Sequence, residues 1–251
     1  MRSRRILAAV VTFLAVLLPA ENQLRGQENV HVFQPLDVFG IEVAADPQIS
    51  PDGERIVFVR SGFDVMTDRA TSNLWIINTD GSDQRPITTG KASQASPRWS
   101  PDGTRLLFVS SEDGGVEIWL RWMDTGQTAK LTHLSESPGA LAWSPDERTI
   151  AFTMFVPEKR QPLAVDMPAM PEGADWGPPI RVIDKMNYRA DGNPDFVPDG
   201  NTHLFVLPAE GGTPRQLTEG PYDHNSPAWT PDGRAILISA NRRDDADHEP
   251  M

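Results

Sequence analysis

The sequence predicts an all-β fold built from repeated four-stranded units, and three observations carry that expectation. A turn of the form Ser/Thr-Pro-Asp-Gly recurs four times, as Ile49-Ser50-Pro51-Asp52-Gly53, Trp99-Ser100-Pro101-Asp102-Gly103, Trp143-Ser144-Pro145-Asp146-Glu147 and Trp229-Thr230-Pro231-Asp232-Gly233. The four prolines are spaced 50, 44 and 86 positions apart, and a period of roughly 40–50 residues is the mark of a β-propeller with one blade per unit. Three units also close on one aliphatic-Thr pair: Ile87-Thr88, Leu131-Thr132 and Leu217-Thr218.

Each element of the unit has a local reason. Serine opens the turn, proline presets φ, aspartate comes third and glycine fourth, which suits a type I turn with a left-handed exit. The Pro-x-Trp strand leads into the turn, and an apolar strand leaves it: Arg55–Val59, Arg105–Val109, Thr149–Thr153 and Arg234–Ile238. A third strand follows at Asn73–Ile77, Glu117–Leu120 and His203–Val206, then a glycine turn (Asp80-Gly81, Thr125-Gly126, Gly211-Gly212) and the short closing strand. Several strands are apolar at most positions, as suits strands covered on both faces by neighbouring blades. Trp75, Trp99, Trp119, Trp143 and Trp229 are expected at equivalent strand positions, as core packing. Glu147 replaces the turn glycine in the third copy, and a left-handed non-glycine residue costs on the order of 1 kcal/mol. That turn is expected to be strained or of another type. The interval of 86 contains one closing Leu-Thr pair, which favours one blade with an insertion from about Pro157 to Gly200.

The first residues read differently. Arg2, Arg4 and Arg5 precede an apolar run, Ile6 to Leu18, ending in Leu18-Pro19-Ala20. That is the pattern of a secretory signal peptide over residues 1–20, extending at most to 27. The run falls short of the ~20 apolar residues of a membrane span, although an uncleaved anchor is the competing reading. Residues 21–44 then form a lead-in segment, and 45–251 a partial β-propeller with its Pro-rich insertion at about 157–200. The formal charge is −12; removing residues 1–20 leaves 20 Lys/Arg against 35 Asp/Glu, or −15. This acidity argues against nucleic acid and against anionic membrane surfaces as partners. There is no cysteine, so neither a disulfide framework nor thiol chemistry arises, which suits a bacterial periplasm or exterior. The mature length holds three blades and the start of a fourth. Ring closure takes at least four blades, so the chain is expected to be a fragment or a truncated reading frame.

A family resemblance rests on two blocks. Asp46-Pro47-Gln48-Ile49-Ser50-Pro51-Asp52-Gly53, with Met66-Thr67-Asp68-Arg69 and Asn73-Leu74-Trp75-Ile76, resembles the first blade of secreted prolyl-oligopeptidase-type serine peptidases, in the acylaminoacyl-peptidase and dipeptidyl-peptidase-like branch. The second block, Trp176 to Asp184, Tyr188-Arg189-Ala190-Asp191-Gly192 and His203-Leu204-Phe205-Val206, is similar to the long blade insertion of that branch. The resemblance covers about residues 35–251. It implies a propeller that sits over an α/β-hydrolase domain and restricts access to small or unfolded peptides, with the Ser-Asp-His triad in that C-terminal domain. This sequence contains no Gly-x-Ser-x-Gly elbow, so no catalytic residue is assigned and the chain by itself is expected to be inert. The alternative is a TolB-like periplasmic propeller that recruits a protein partner at its rim.

No cofactor-binding or metal-binding residue is assigned either. Histidines 31, 133, 203, 224 and 248 are read as scattered structural residues, with His203 a half-buried imidazole in an apolar strand. The acidic run Asp244-Asp245-Ala246-Asp247-His248-Glu249 lacks the glycine and terminal glutamate spacing of a calcium loop and is read as a solvated loop. Asp191-Gly192-Asn193 and Asp195 to Asp199-Gly200 are read as turns. The stretch Pro157 to Pro179 cannot be a central strand, because proline removes ladder donors; it is a flap, a seat for a second domain, or a surface excursion. Expected partners are peptide substrates, through the absent hydrolase domain, and a protein at the rim.

Overall fold

The computed structural model describes residues 32–158, 168–177, 182–183, 186, 188–192 and 195–243. The chain divides between Asp37 and Val38, and all the strands lie in the second unit. A short 3-10 helix, Pro35–Gly40, runs across the division. The predicted signal peptide and the acidic run at 244–249 lie outside the described residues.

The second unit is an incomplete β-propeller: three four-stranded antiparallel blades and two strands of a fourth. The first blade holds β1 (Val43–Ile49), β2 (Arg55–Asp64), β3 (Arg69–Asn78) and β4 (Arg85–Pro86); the second holds β5 (Gln94–Trp99), β6 (Arg105–Ser110), β7 (Glu117–Trp122) and β8 (Thr128–Lys130). The third holds β9 (Pro138–Trp143), β10 (Thr149–Pro157), β11 (Gly200–Pro208) and β12 (Arg215–Gln216), and β13 (Asn225–Trp229) and β14 (Ile236–Ser239) begin the fourth. First strands touch from blade to blade, β1 with β5, β5 with β9 and β9 with β13, while the main contacts of the fourth strands stay within their own blade. The first strands therefore form the inner wall.

The four turns share one hydrogen-bond circuit. In each, the Ser or Thr hydroxyl donates to the Asp Oδ1 at 2.5–2.6 Å. The same oxygen accepts the backbone N–H five residues on at 2.9–3.1 Å, and the aspartate accepts the N–H two residues after itself at 3.0–3.1 Å. Burial works against ionisation of Asp102, but the donors from Ser100 and Thr104 outweigh it and hold the carboxyl at about 2. Ser100 is fully buried. Replacing it with alanine strands the Arg105 N–H and is expected to cost about 1–3 kcal/mol, measured as the urea midpoint at constant m.

Glu147 keeps the same turn rather than changing it. Its φ is 61°, against 75°, 71° and 68° at Gly53, Gly103 and Gly233. The strained residue has a compensating contact, because its carboxylate meets Arg105 of the second blade at 3.0 Å.

The closing Ile/Leu-Thr pair also has a physical role. Ile87, Leu131 and Leu217 each donate a backbone bond of 2.8 Å to the third strand. In return, the hydroxyl of the threonine that follows accepts the N–H of that same third-strand residue: Leu74 N to Thr88, Ile118 N to Thr132 and Leu204 N to Thr218, at 2.8–2.9 Å. A two- or three-residue strand thus satisfies its neighbour's ladder without becoming longer.

The tryptophans fall into two sets, which corrects the expectation of one equivalent position. Trp99, Trp143 and Trp229 end first strands, and their indole N–H groups donate to the preceding blade's first strand, at Gln48 O, Arg98 O and Ala142 O, over 3.0, 3.1 and 3.3 Å. Trp75 and Trp119 sit instead in third strands, opposite Phe58 and Phe108. Burial follows the same architecture. Leu106, Leu107, Phe108 and Val109 of β6 are all buried, as are Ile150, Ala151, Phe152 and Thr153 of β10, because both of those blades are covered on two sides. In β14 the pattern alternates. Among the described residues nothing covers Leu237 or, on the first blade, Ile49, each 65% exposed.

Candidate functional site

The inner wall carries a feature that sequence reasoning missed. Asp46, Ser96, Ala140 and Ser226 occupy one position in the four first strands, and all have positive φ, at 46°, 55°, 45° and 53°. The ladder with the second strand shifts register at each of them. These are β-bulges with a left-handed residue, which re-aim a strand and release backbone groups from pairing. A signal was present in the chain: proline follows the bulged residue at Pro47, Pro97 and Pro227, where a missing N–H costs no ladder bond. Asp46 also bridges blades, since both its oxygens accept from Arg98 Nη1, at 3.0 and 2.8 Å.

A second feature joins two residues that the sequence left apart. His203 in β11 and His224 just before β13 are 5% and 1% exposed, and their Nδ1 atoms are 3.3 Å apart across the interface of the third and fourth blades. His203 is thus buried rather than half-buried, and the two are a pair rather than scattered residues. Arg242 Nη2 lies 3.2 Å from His224 Nε2. A guanidinium only donates, so Nε2 accepts, His224 carries its proton on Nδ1, and that N–H donates to His203 Nδ1. Backbone bonds reinforce the seam: His224 N donates to Thr202 O at 2.8 Å, and Thr202 N donates to Asp223 Oδ1 at 2.7 Å.

This tautomer decides the chemistry. A metal would need both Nδ1 lone pairs, and one of them holds the shared proton. Among the described residues no group of three or more His, Cys, Asp or Glu is placed to hold a metal ion. Among the described residues the pair has no serine, threonine or carboxylate side chain as a hydrogen-bond partner, so they bring it neither the nucleophile nor the orienting acid of a triad. Its chemistry is that of a neutral structural link. The seam between the first and second blades uses other groups, with Thr88 donating to Gln94 Oε1 at 3.1 Å; within the second blade, Thr132 donates to the buried Glu117 at 2.6 Å. His133 is on the surface, 3.6 Å from Glu117; His31 and His248 lie outside the described residues.

The neutral link is acid-sensitive. Burial chiefly, and then neighbouring His224, lower the His203 pKa, against smaller opposing effects of Asp223 and Glu219. A histidine whose folded pKa is depressed contributes stability that is complete above its unfolded pKa of about 6.5 and is lost as pH falls through the lower folded value. The melting temperature is therefore expected to hold between pH 8 and 7 and to drop as pH falls below about 6.5. His203→Gln keeps an acceptor for His224 and is expected to flatten that limb; an unchanged slope in the variant would refute the assignment.

The third feature is the long excursion between paired Pro157 and Gly200. It leaves the β10–β11 end of the third blade, the end on which β11 begins with the His203 seam. Gly200 is required at its return, because a Cβ there would lie 2.3 Å from Val156 O. Described parts of the excursion hold an isolated bridge, Arg189 to Phe196, with Asp191 and Gly192 in the turn between. Met170, Trp176, Ile183 and Met186 are 49–70% exposed.

Radial four-stranded sheets, a shared inner wall and the hydroxyl-carboxylate turn circuit define a propeller of the repeated Ser-Pro-Asp-Gly class. The chain belongs to the TolB beta propeller domain family, which it matches over residues 37–167. It is 30% identical over 206 residues to an uncharacterized peptidase, YuxL, of Bacillus subtilis, covering 82% of this chain and 30% of that protein. It is 25% identical over 208 residues to dipeptidyl-peptidase 5 of Porphyromonas gingivalis, covering 78% of this chain and 29% of that protein. The chain thus spans under a third of the length of these relatives. Among solved structures, its fold is similar to that of an acylaminoacyl peptidase from Pyrococcus horikoshii, with TM-score 0.58 at 17% identity, over 82% of this chain and 29% of that one.

Proposed function

We propose that this chain is the propeller portion of a secreted serine peptidase, acting as scaffold and gate for peptide substrates over a separate hydrolase domain. The observation that carries the reading is the 30% identity to a peptidase of which the chain matches only 30%, together with the absence of any Gly-x-Ser-x-Gly elbow in the sequence. Gating would use the bulged inner wall and the apolar excursion at the β10–β11 end, the two features that are not explained by blade packing. Acyl transfer through an activated serine would belong to the other domain.

Two measurements test it. Reading the coding region past the Met251 codon is expected to reveal further blades, then Gly-x-Ser-x-Gly with downstream Asp and His; further blades followed directly by a stop codon would replace the proposal with a binding module that recruits a protein at its rim. Fluorogenic peptides are expected to survive incubation with the purified chain, and hydrolysis by it alone would also overturn the proposal. Secretion is tested by N-terminal sequencing of the protein from the cell envelope, where the first residue is expected to be Glu21. The family match alone is compatible with either reading, because one fold serves proteins of different functions.

A further inference from the structure

The seam between the first and second blades differs from the next seam in one respect. Leu207 lies in β11 facing the second blade, where it is fully buried in an apolar cluster. The residue at the same place in β7 is Arg121. It pairs with Leu106, and its strand neighbours on the same face, Trp119 and Met123, both pack into the cluster between the first two blades. Across that cleft stands Arg85, which pairs with Ile76 of the same cluster. At the next seam the place of Arg85 is taken by Ala129, opposite Leu120.

Two guanidiniums therefore face one cleft where the neighbouring seam has aliphatic side chains. Arg85 has a carboxylate at 3.5 Å, the exposed Asp83. Arg121 has no ion-pair or hydrogen-bond partner among the described residues, and its Nη2 lies close against the Trp122–Gly126 turn. Trp119, on the same face, adds a further donor: its Nε1 is buried without an acceptor among the described residues. Burial and the nearby Arg85 charge lower the Arg121 pKa, the response expected of a cation that lacks a counter-charge.

We propose that this cleft is an oxyanion site, in which Arg121 and Arg85 bridge a carboxylate or phosphate group. Guanidinium forks suit such groups, because each presents two parallel N–H donors to two oxygens. An anion there would relieve the repulsion between the two arginines, and it would do so on a protein whose net charge of −12 offers anions no general attraction.

The test uses the full chain, with sodium phosphate and sodium succinate as probes at fixed ionic strength against sodium chloride. Both probes are expected to raise the melting temperature saturably; a response to only one identifies the group that the site selects. Arg121→Leu restores the residue type of Leu207; it is expected to melt higher than the native chain in chloride and to lose the saturable response. Arg85→Gln, at an exposed position, is expected to keep the fold and weaken half-saturation about tenfold, the loss of one charged hydrogen bond. Phosphate also stabilises proteins generally by exclusion from their surface, so an equal response in the native chain and both variants would overturn the site. No saturable response in the native chain would overturn it as well.

Discussion

Replacing Phe152 by alanine is expected to lower the stability of the chain by about 3–5 kcal/mol, the usual cost of deleting a buried aromatic ring. Phe152 has no exposed surface, and its ring stacks on Phe205 with centroids 5.5 Å apart. Both belong to the cluster between the second and third blades, the largest apolar cluster among the described residues. Domains of this kind have only about 5–15 kcal/mol in hand, so the variant should unfold at a much lower urea concentration. Leu237→Ala is the matched control. Leu237 is 65% exposed, and a surface change of that kind stays within about 0.5 kcal/mol. Equal losses from the two variants would mean that the face of the fourth blade is covered in solution, contrary to the architecture described above.

Trp143→Ala is expected to cost a similar amount, about 3–5 kcal/mol, for a different reason. Trp143 is 9% exposed and ties the third blade to the second through its indole N–H, 3.1 Å from Arg98 O. The Arg105 guanidinium lies 4.8 Å from the ring and is itself held by Glu147. Trp143→Phe keeps most of the ring and removes the donor, so it is expected to cost about 1 kcal/mol for the hydrogen bond plus a smaller packing loss. If the phenylalanine variant were as unstable as the alanine variant, the indole hydrogen bond rather than ring burial would hold the blades together. Chemical denaturation of the three proteins side by side decides between them.

Much of this could be read along the chain because it depends on residues close in sequence. Ser100, Asp102 and Arg105 complete their circuit within six positions, so the turn is written in four consecutive letters. The Leu-Thr closure was visible as a recurring pair, although its purpose, a hydroxyl standing in for a ladder acceptor, needed the third strand beside it. Glu147 was recognisable as the exception among the turn residues. What it does could not be read, since its partner Arg105 belongs to the preceding blade. The bulges at Asp46, Ser96, Ala140 and Ser226 left only the trace of a following proline in three of the four copies. A bulge is a relation between two strands and is not a preference of one.

The histidines make the same point at a functional scale. His203 and His224 are 21 positions apart, with no motif around them, and only the apposition of the third and fourth blades brings their rings together. Arg121 read alone is an ordinary charged residue in a strand; its lack of a partner among the described residues follows from which face of β7 packs on the cluster of the first two blades. Local covalent and hydrogen-bond chemistry was enough to specify the turns, the strands, their order and hence the propeller class. Which side chains meet across the seams, and with what charge, was settled by packing one sheet on another, because those contacts join residues that no short window of sequence contains.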